Sequence, residues 1–118
     1  MARKPDRQAT LQRYEEEYER LKEELGGLGY VLPGTVTERC LPCGTPSCRC
    51  HEDRQYWHGP YYQWNWREEG KTRSAYLSGE QLAQAREWMG NNRAAEDLFK
   101  RMRTLSLRVA RLHEIPRK

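Results

Sequence analysis

The sequence predicts an α+β domain: an N-terminal helix, a three-stranded antiparallel sheet with a cysteine-rich loop, and a long or bent C-terminal helix. Three observations carry that expectation. Apolar residues recur at helical spacing near both ends of the chain, residues 59–77 alternate with the period of a strand, and all four cysteines fall between positions 40 and 50. The corresponding segments are 1–29, an acidic amphipathic helix; 30–78, the loop and sheet; and 79–118, a basic helix packing on the sheet.

At the N-terminal end, Leu11, Tyr14, Tyr18, Leu21, Leu25 and Leu28 are separated by alternating steps of three and four, the seam of a coiled-coil-like helix. Glu15, Glu16, Glu17, Glu19, Glu23 and Glu24 cover its other faces as a solvated surface. Thr10 caps a start near residue 11, with Pro5 and Asp6 permitting an earlier one, and Gly26, Gly27 and Gly29 end it. A helix of about fifteen residues is marginal alone in water, so the seam needs a partner. That partner is the C-terminal helix or the same helix of another subunit.

The stretch YVLPGTVTER at 30–39 is rich in β-branched residues and reads as a strand over 34–39 leading into the cysteines. Beyond them, Tyr62, Trp64 and Trp66 alternate with Tyr61, Gln63, Asn65 and Arg67. Glu68, Glu69 and Gly70 make a hairpin turn, and KTRSAYL returns antiparallel. Ser78 and Gln81 form a capping box for the last helical stretch. There Leu82, Ala85, Met89, Phe99, Met102, Val109 and Leu112 approximate a seam, widened by Leu98 and Leu105. Gly90-Asn91-Asn92 interrupts it. An interior glycine costs about 1 kcal/mol relative to alanine, so 79–89 and 93–113 form two helices or one bent helix, with Pro116 as a stop.

Cys40, Cys43, Cys48 and Cys50 are followed directly by His51, and His58 closes the segment before Gly59 and Pro60. Thiolate and neutral imidazole are the ligands zinc prefers, four of them in a tetrahedron in structural sites. Two sets fit: Cys43, Cys48, Cys50 and His58, or the four cysteines with Cys40 in place of the histidine. The first is favoured, because His58 stands just before a strand and would pin the loop to the sheet. Gly44, Thr45 and Pro46 supply the turn that the short Cys48-Arg49-Cys50 spacing demands. Disulfides are disfavoured, since no secretory signal precedes the cluster. A redox centre is disfavoured too: only Cys40 and Cys43 have the two-residue spacing, outside any thioredoxin-like context.

Composition explains why a metal would be useful. The chain is 36% apolar and 32% charged, with a mean hydropathy of -1.10, and much of its apolar mass is four tryptophans and seven tyrosines. A core this small supplies only about 3–5 kcal/mol, which a structural metal supplements. No run approaches the ~20 apolar residues of a membrane span, and MARKPDRQAT has no hydrophobic signal region, so a cytoplasmic protein without a membrane partner is expected.

The run Gly34-Thr35-Val36, CGTPSCRC at 43–50, HGPYY at 58–62 and GKTRSAYL at 70–77 resembles an uncharacterised prokaryotic family known only as a domain of unknown function. Its members share a CGxxxCxC, HGPYY and GKxRxxYL pattern, and the resemblance covers about residues 34–112. It implies a small metal-binding domain and no established activity. Cys40 falls outside the recurrent pattern, which makes it an extra or alternate ligand.

The net charge of +4 is unevenly placed: residues 81–118 carry nine basic and four acidic side chains, while residues 31–80 carry six of each. The leading expectation is therefore a non-catalytic, zinc-stabilised nucleic-acid-binding module, with DNA favoured over RNA. Arg67, Lys71 and Arg73 of the hairpin and Arg93, Lys100, Arg101, Arg103 and Arg108 of the last helix would contact phosphates. The hairpin is similar to the three-stranded arm-type DNA-binding domains of phage and transposon integrases, whose sheet is usually free of zinc. That resemblance implies a mobile-element or phage context. Tyr62, Trp64 and Trp66 fit a core face better than a stacking platform, leaving Tyr61 and Trp57 for ligands. Glu68 and Glu69 at the tip oppose insertion into a groove.

The alternative is an interaction or oligomerisation module, in which the helical seams join a second copy or a partner protein and zinc only holds the sheet. An enzyme is not expected. A catalytic zinc keeps a position open for water, and a deaminase would pair His-x-Glu with Pro-Cys-x-x-Cys. His113 stands alone, and no paired-carboxylate, nucleophile-elbow or P-loop pattern is present.

Overall fold

The computed structural model describes residues 6–114, which form an α+β fold. Helix α1 (Arg7–Gly26) is followed by strand β1 (Thr35–Leu41), two short 3-10 turns (Arg49–His51 and Arg54–Tyr56), strands β2 (His58–Glu68) and β3 (Lys71–Leu77), and helix α2 (Gly79–Leu112). The described chain divides into two compact units. A helical unit holds α1 and α2 from Asn91 onward, and a sheet unit runs from Leu32 to Gly90. The division thus falls inside α2, not between the sheet and the last helix. No described helix is long and apolar enough to cross a membrane.

In the helical unit, α1 begins four residues ahead of the expected start near 11. The Asp6 carboxylate accepts the Gln8 backbone N–H at 3.3 Å and is the cap, while the Thr10 hydroxyl donates to the Asp6 carbonyl at 3.0 Å from inside the first turn. A carboxylate there satisfies an otherwise unpaired N–H and complements the helix dipole. At the other end Gly27 donates its N–H to the Glu23 carbonyl at 3.1 Å. Leu21 is buried with Leu98, Met102 and Leu105 of α2, and Tyr14, Tyr18, Leu25 and Leu28 pack against that cluster. The partner of the α1 seam is therefore the last helix of the same chain.

Two expectations about α2 are corrected or resolved. Leu98 and Leu105 lie at the centre of the seam, whereas Phe99, one residue further round the helix, is 44% exposed. The helix also runs unbroken through Gly90-Asn91-Asn92. There the Asn91 side-chain amide donates to the Tyr30 carbonyl at 2.9 Å and that of Asn92 to Glu96 at 3.3 Å, so these amides hydrogen-bond outward and leave the helical backbone intact. Pro116, the expected stop, lies outside the described residues.

In the sheet unit the strands are antiparallel in the order β1-β2-β3, with Val36 opposite Trp64 and Trp64 opposite Ala75. β1 extends to Leu41, beyond the expected end at 39, which places Cys40 within the sheet. Glu68 pairs with Lys71, so the turn is the two residues Glu69 and Gly70, with φ of 51° and 78° as a type I′ hairpin requires. Trp64 and Trp66 project from the same face, their rings stacked at 3.7 Å, and the Trp64 indole N–H donates to the Pro33 carbonyl at 2.9 Å. Arg86 of α2 lies 5.5 Å over the Tyr62 ring on that face. The capping box forms: Gln81 N–H donates to the Ser78 hydroxyl at 3.3 Å, and Ser78 N–H to the Gln81 side-chain oxygen at 2.9 Å.

Candidate metal centre

The loop between β1 and β2 is built from tight turns. The Cys48 N–H donates to the Thr45 carbonyl at 3.0 Å, the His51 N–H to Cys48 at 3.1 Å and the Glu52 N–H to Arg49 at 2.9 Å. This 3-10 geometry accommodates the short Cys48-Arg49-Cys50 spacing. The Asp53 carboxylate then caps the second turn by accepting the Gln55 N–H at 3.1 Å. Arg49 lies 3.8 Å over the Tyr56 ring and Arg54 lies 4.9 Å over Trp57, so two cation–π contacts brace the outer side of the loop.

β2 then begins at His58 with a bulge. Arg39 pairs with Tyr61 but Leu41 pairs with His58, so Cys40 faces both Gly59 and Pro60 across the ladder. The Gly59–Pro60 peptide is cis, and Gly59 has φ +133° with space for a Cβ only 2.9 Å from the Arg39 carbonyl oxygen. A side chain there would be strained and crowded together. Bulges re-aim neighbouring side chains, and this one stands next to the histidine that reaches the cysteines.

The ligand atoms of Cys43, Cys48, Cys50 and His58 all lie within 4.8 Å of one another. A tetrahedron with metal–sulfur bonds of about 2.3 Å has sulfur–sulfur edges of about 3.8 Å. The Cys43 and Cys50 sulfurs are 3.6 Å apart, and Cys48 Sγ is 3.3 Å from His58 Nε2. These two separations match the edges of such a tetrahedron, and the whole set is close enough for one ion to reach all four donors. Three sulfurs and one imidazole suit a soft or borderline ion and not a hard, oxygen-seeking one. Cys50 is only 1% exposed, and its sulfur accepts the Cys43 backbone N–H at 3.2 Å.

Electrostatics in the cluster are divided. Hydrogen bonding to the Thr45 backbone, helped by the Cys48 side chain, lowers the Cys43 thiol to about 6. The Cys50 backbone and then His58 lower Cys48. Burial pushes Cys50 up, and the sulfurs of Cys48 and Cys43 raise His58. These shifts favour the ionised forms of Cys43, Cys48 and His58 and the neutral form of Cys50.

Residues 8–87 match the family described as a domain of unknown function, DUF6788. The chain belongs to that family. The DUF6788 match takes in α1, which the resemblance over 34–112 leaves out, and it spans the whole loop and sheet before ending inside α2. No curated protein and no solved structure matches the chain.

Within this DUF6788 chain, Cys40 is exposed in β1 and His51 is exposed in the loop; neither belongs to the four-residue group. The residues expected to meet nucleic acid are distributed more widely. Arg67, Lys71 and Arg73 belong to the sheet unit, and Arg93, Lys100, Arg101, Arg103 and Arg108 to the helical unit. Register separates the hairpin arginines further: Arg73 pairs opposite Trp66 on the tryptophan face and meets Glu68 at 4.0 Å, whereas Arg67 is on the other face. That other face carries Tyr61, which the sequence left for ligands, together with residues it did not single out. Arg39 donates to the Gln63 side chain at 3.5 Å, and Asn65 joins Thr37 at 3.1 Å to Ser74 at 2.8 Å. Tyr61 and Tyr76 meet edge to face at 6.1 Å. The available signal was parity: Tyr76 pairs opposite Gln63 and shares the face of Tyr61.

Proposed function

We propose that this chain is a zinc-stapled, non-catalytic module that binds nucleic acid. One observation carries the proposal: three sulfurs and an imidazole nitrogen from Cys43, Cys48, Cys50 and His58, one of the cysteines buried, gathered within 4.8 Å of one another. Four protein donors fill the coordination of a structural zinc and leave no place for a reacting water. Zinc at this position ties the loop to the first residue of β2 and so fixes the edge of the sheet. Its role is to stabilise the fold.

Nucleic acid is supported as the ligand by cations without carboxylate partners. Among the described residues, Arg101 pairs with Asp97 at 3.9 Å and Arg73 with Glu68, while Arg67, Lys71, Arg93, Lys100, Arg103 and Arg108 form no ion pair. Such cations neutralise phosphates and release counterions. The similarity of the hairpin to integrase arm-type domains favours DNA and a mobile-element or phage setting. The test is metal analysis of the purified protein, followed by binding to labelled DNA and RNA at low salt with a salt titration. Stoichiometric zinc and affinity that falls with salt are expected. Zinc-free folded protein, or zinc-loaded protein that ignores every nucleic acid at low salt, would reject the proposal.

A second reading has one observation in its favour. Phe99 and Leu107 are exposed on α2 beside Tyr18 and Met102, an apolar strip suited to a second copy of the chain. Light scattering decides it, since a monomer at high concentration excludes that role for the strip.

A further inference from the structure

We infer that the ligand is single-stranded nucleic acid and that it lies on the open face of the sheet, the face opposite Trp64 and Trp66. This deepens the nucleic-acid proposal and rests on it. Strand alternation sorts the side chains of β1, β2 and β3 by sign as well as by polarity. Glu38 pairs opposite Tyr62 and Glu68 meets Arg73, which places both strand carboxylates on the tryptophan side. The open face holds Arg39 and Arg67, no carboxylate, and a row of amides and hydroxyls between them. Arg67 lies six steps along β2 from Arg39's partner Tyr61, about 20 Å of strand at some 3.4 Å per residue. A polyanion laid along β2 would meet a guanidinium at each end and no repulsion between them.

The aromatic residues choose the kind of polyanion. Tyr61 is 43% and Tyr76 55% exposed, although both are large rings on a protein short of apolar surface to bury. Their edge-to-face arrangement, 68° between planes at 6.1 Å, avoids stacking the two rings on each other and leaves about half of each accessible. An exposed ring stacks on the π-face of an unpaired base, which duplex DNA does not present. Gln63 and Asn65 follow Tyr61 on the same side; the Gln63 amide nitrogen can donate to a base edge, whereas Asn65 gives its two N–H groups to Thr37 and the Gln63 carbonyl and offers a base only its oxygen. The Asn65 network with Thr37 and Ser74 holds that amide in place before ligand arrives. An acidic peptide would satisfy the arginines, and its backbone the amides, but aspartate and glutamate side chains offer the two rings no flat partner to stack on.

Fluorescence anisotropy on the full zinc-loaded chain tests this, with labelled single-stranded DNA, single-stranded RNA and the corresponding DNA duplex. Both single strands are expected to bind more tightly than the duplex, and the ratio of RNA to DNA affinity reports any use of the 2′-hydroxyl. Tyr61→Ala and Tyr76→Ala should each weaken binding by about 5-fold or more, as loss of a stacked base does. The corresponding Tyr→Phe variants should retain it. Arg39→Gln with Arg67→Gln should flatten the log–log salt slope by about 1.4, for two phosphate contacts on a single strand. Zinc content and circular dichroism of each variant verify that the fold is kept. Sheet variants that bind as wild type while Lys100→Gln with Arg103→Gln and Arg108→Gln abolish binding would overturn the inference and leave the broader function standing. Preference for the duplex would also overturn it. Failure of the wild-type chain to bind any nucleic acid would remove both.

Discussion

In the helical unit, Leu21 of α1 is buried among Leu98, Met102 and Leu105 of α2, and two long helices close over that cluster. In the sheet unit no strand residue is buried; Cys50 is, together with Leu82, Ala85 and Met89 of α2. The helical unit is thus held by apolar side chains at helical spacing, the part of a hydrophilic sequence where leucine is concentrated. The loop and sheet are held by backbone ladders, stacked aromatic rings and a cluster of sulfurs. The difference shows how a chain with a mean hydropathy of -1.10 can fold: each half uses a different source of cohesion, and in the sheet unit the cysteine–histidine cluster stands where the strands themselves bury no side chain.

That contrast can be broken most severely at Cys50. Cys50→Ser should abolish metal retention and collapse the loop, with loss of near-ultraviolet tryptophan dichroism, while most of the helical signal persists. Uniform loss of both signals in one transition would show that the two units are not separately stabilised. The converse change is Leu98→Ala, which should cost about 2–5 kcal/mol in the helical unit and leave metal content unchanged. Chemical denaturation followed in parallel by helical dichroism and metal release measures both. Gly59→Ala sharpens the comparison at smaller cost. It forces a side chain into φ +133° at the bulge, and should destabilise the sheet unit by about 1–3 kcal/mol and loosen the metal by moving His58. An unchanged metal affinity would separate the bulge from the site.

Much of this was legible in the sequence because it depends on local periods. The steps of three and four in α1, the alternation of Tyr62, Trp64 and Trp66, the Ser78–Gln81 box and the crowding of cysteines all translate into the structure directly. What did not translate depends on partners distant in the chain. The Gly90-Asn91-Asn92 segment reads as a break until Asn91 finds the Tyr30 carbonyl. Phe99 reads as core until the Leu98-Met102-Leu105 row is seen to face α1, which leaves Phe99 outside. The choice between Cys40 and His58 could not be fixed by spacing alone, because it turns on how the loop folds: His58 comes within reach of the three sulfurs, while Cys40 is left exposed in β1. The open face was hidden for a similar reason: Tyr61 and Tyr76 are remote in sequence and become neighbours only through register.

The most direct test is a cobalt(II) titration of the metal-free chain, followed by absorption and by proton release in weak buffer. Bound sulfurs must be thiolates and the bound imidazole neutral, so protons compete with the metal and affinity rises with pH. Burial raises Cys50 and its neighbours raise His58, so protons on both oppose uptake; Cys43, lowered to about 6, adds a further competing proton as the pH falls through that value, and uptake should then fail more steeply. Saturation is expected at a single equivalent, with the visible bands of a tetrahedral ion and intense sulfur-to-cobalt charge transfer, both lost on acidification. No stoichiometric uptake, or an octahedral spectrum lacking sulfur charge transfer, would contradict it.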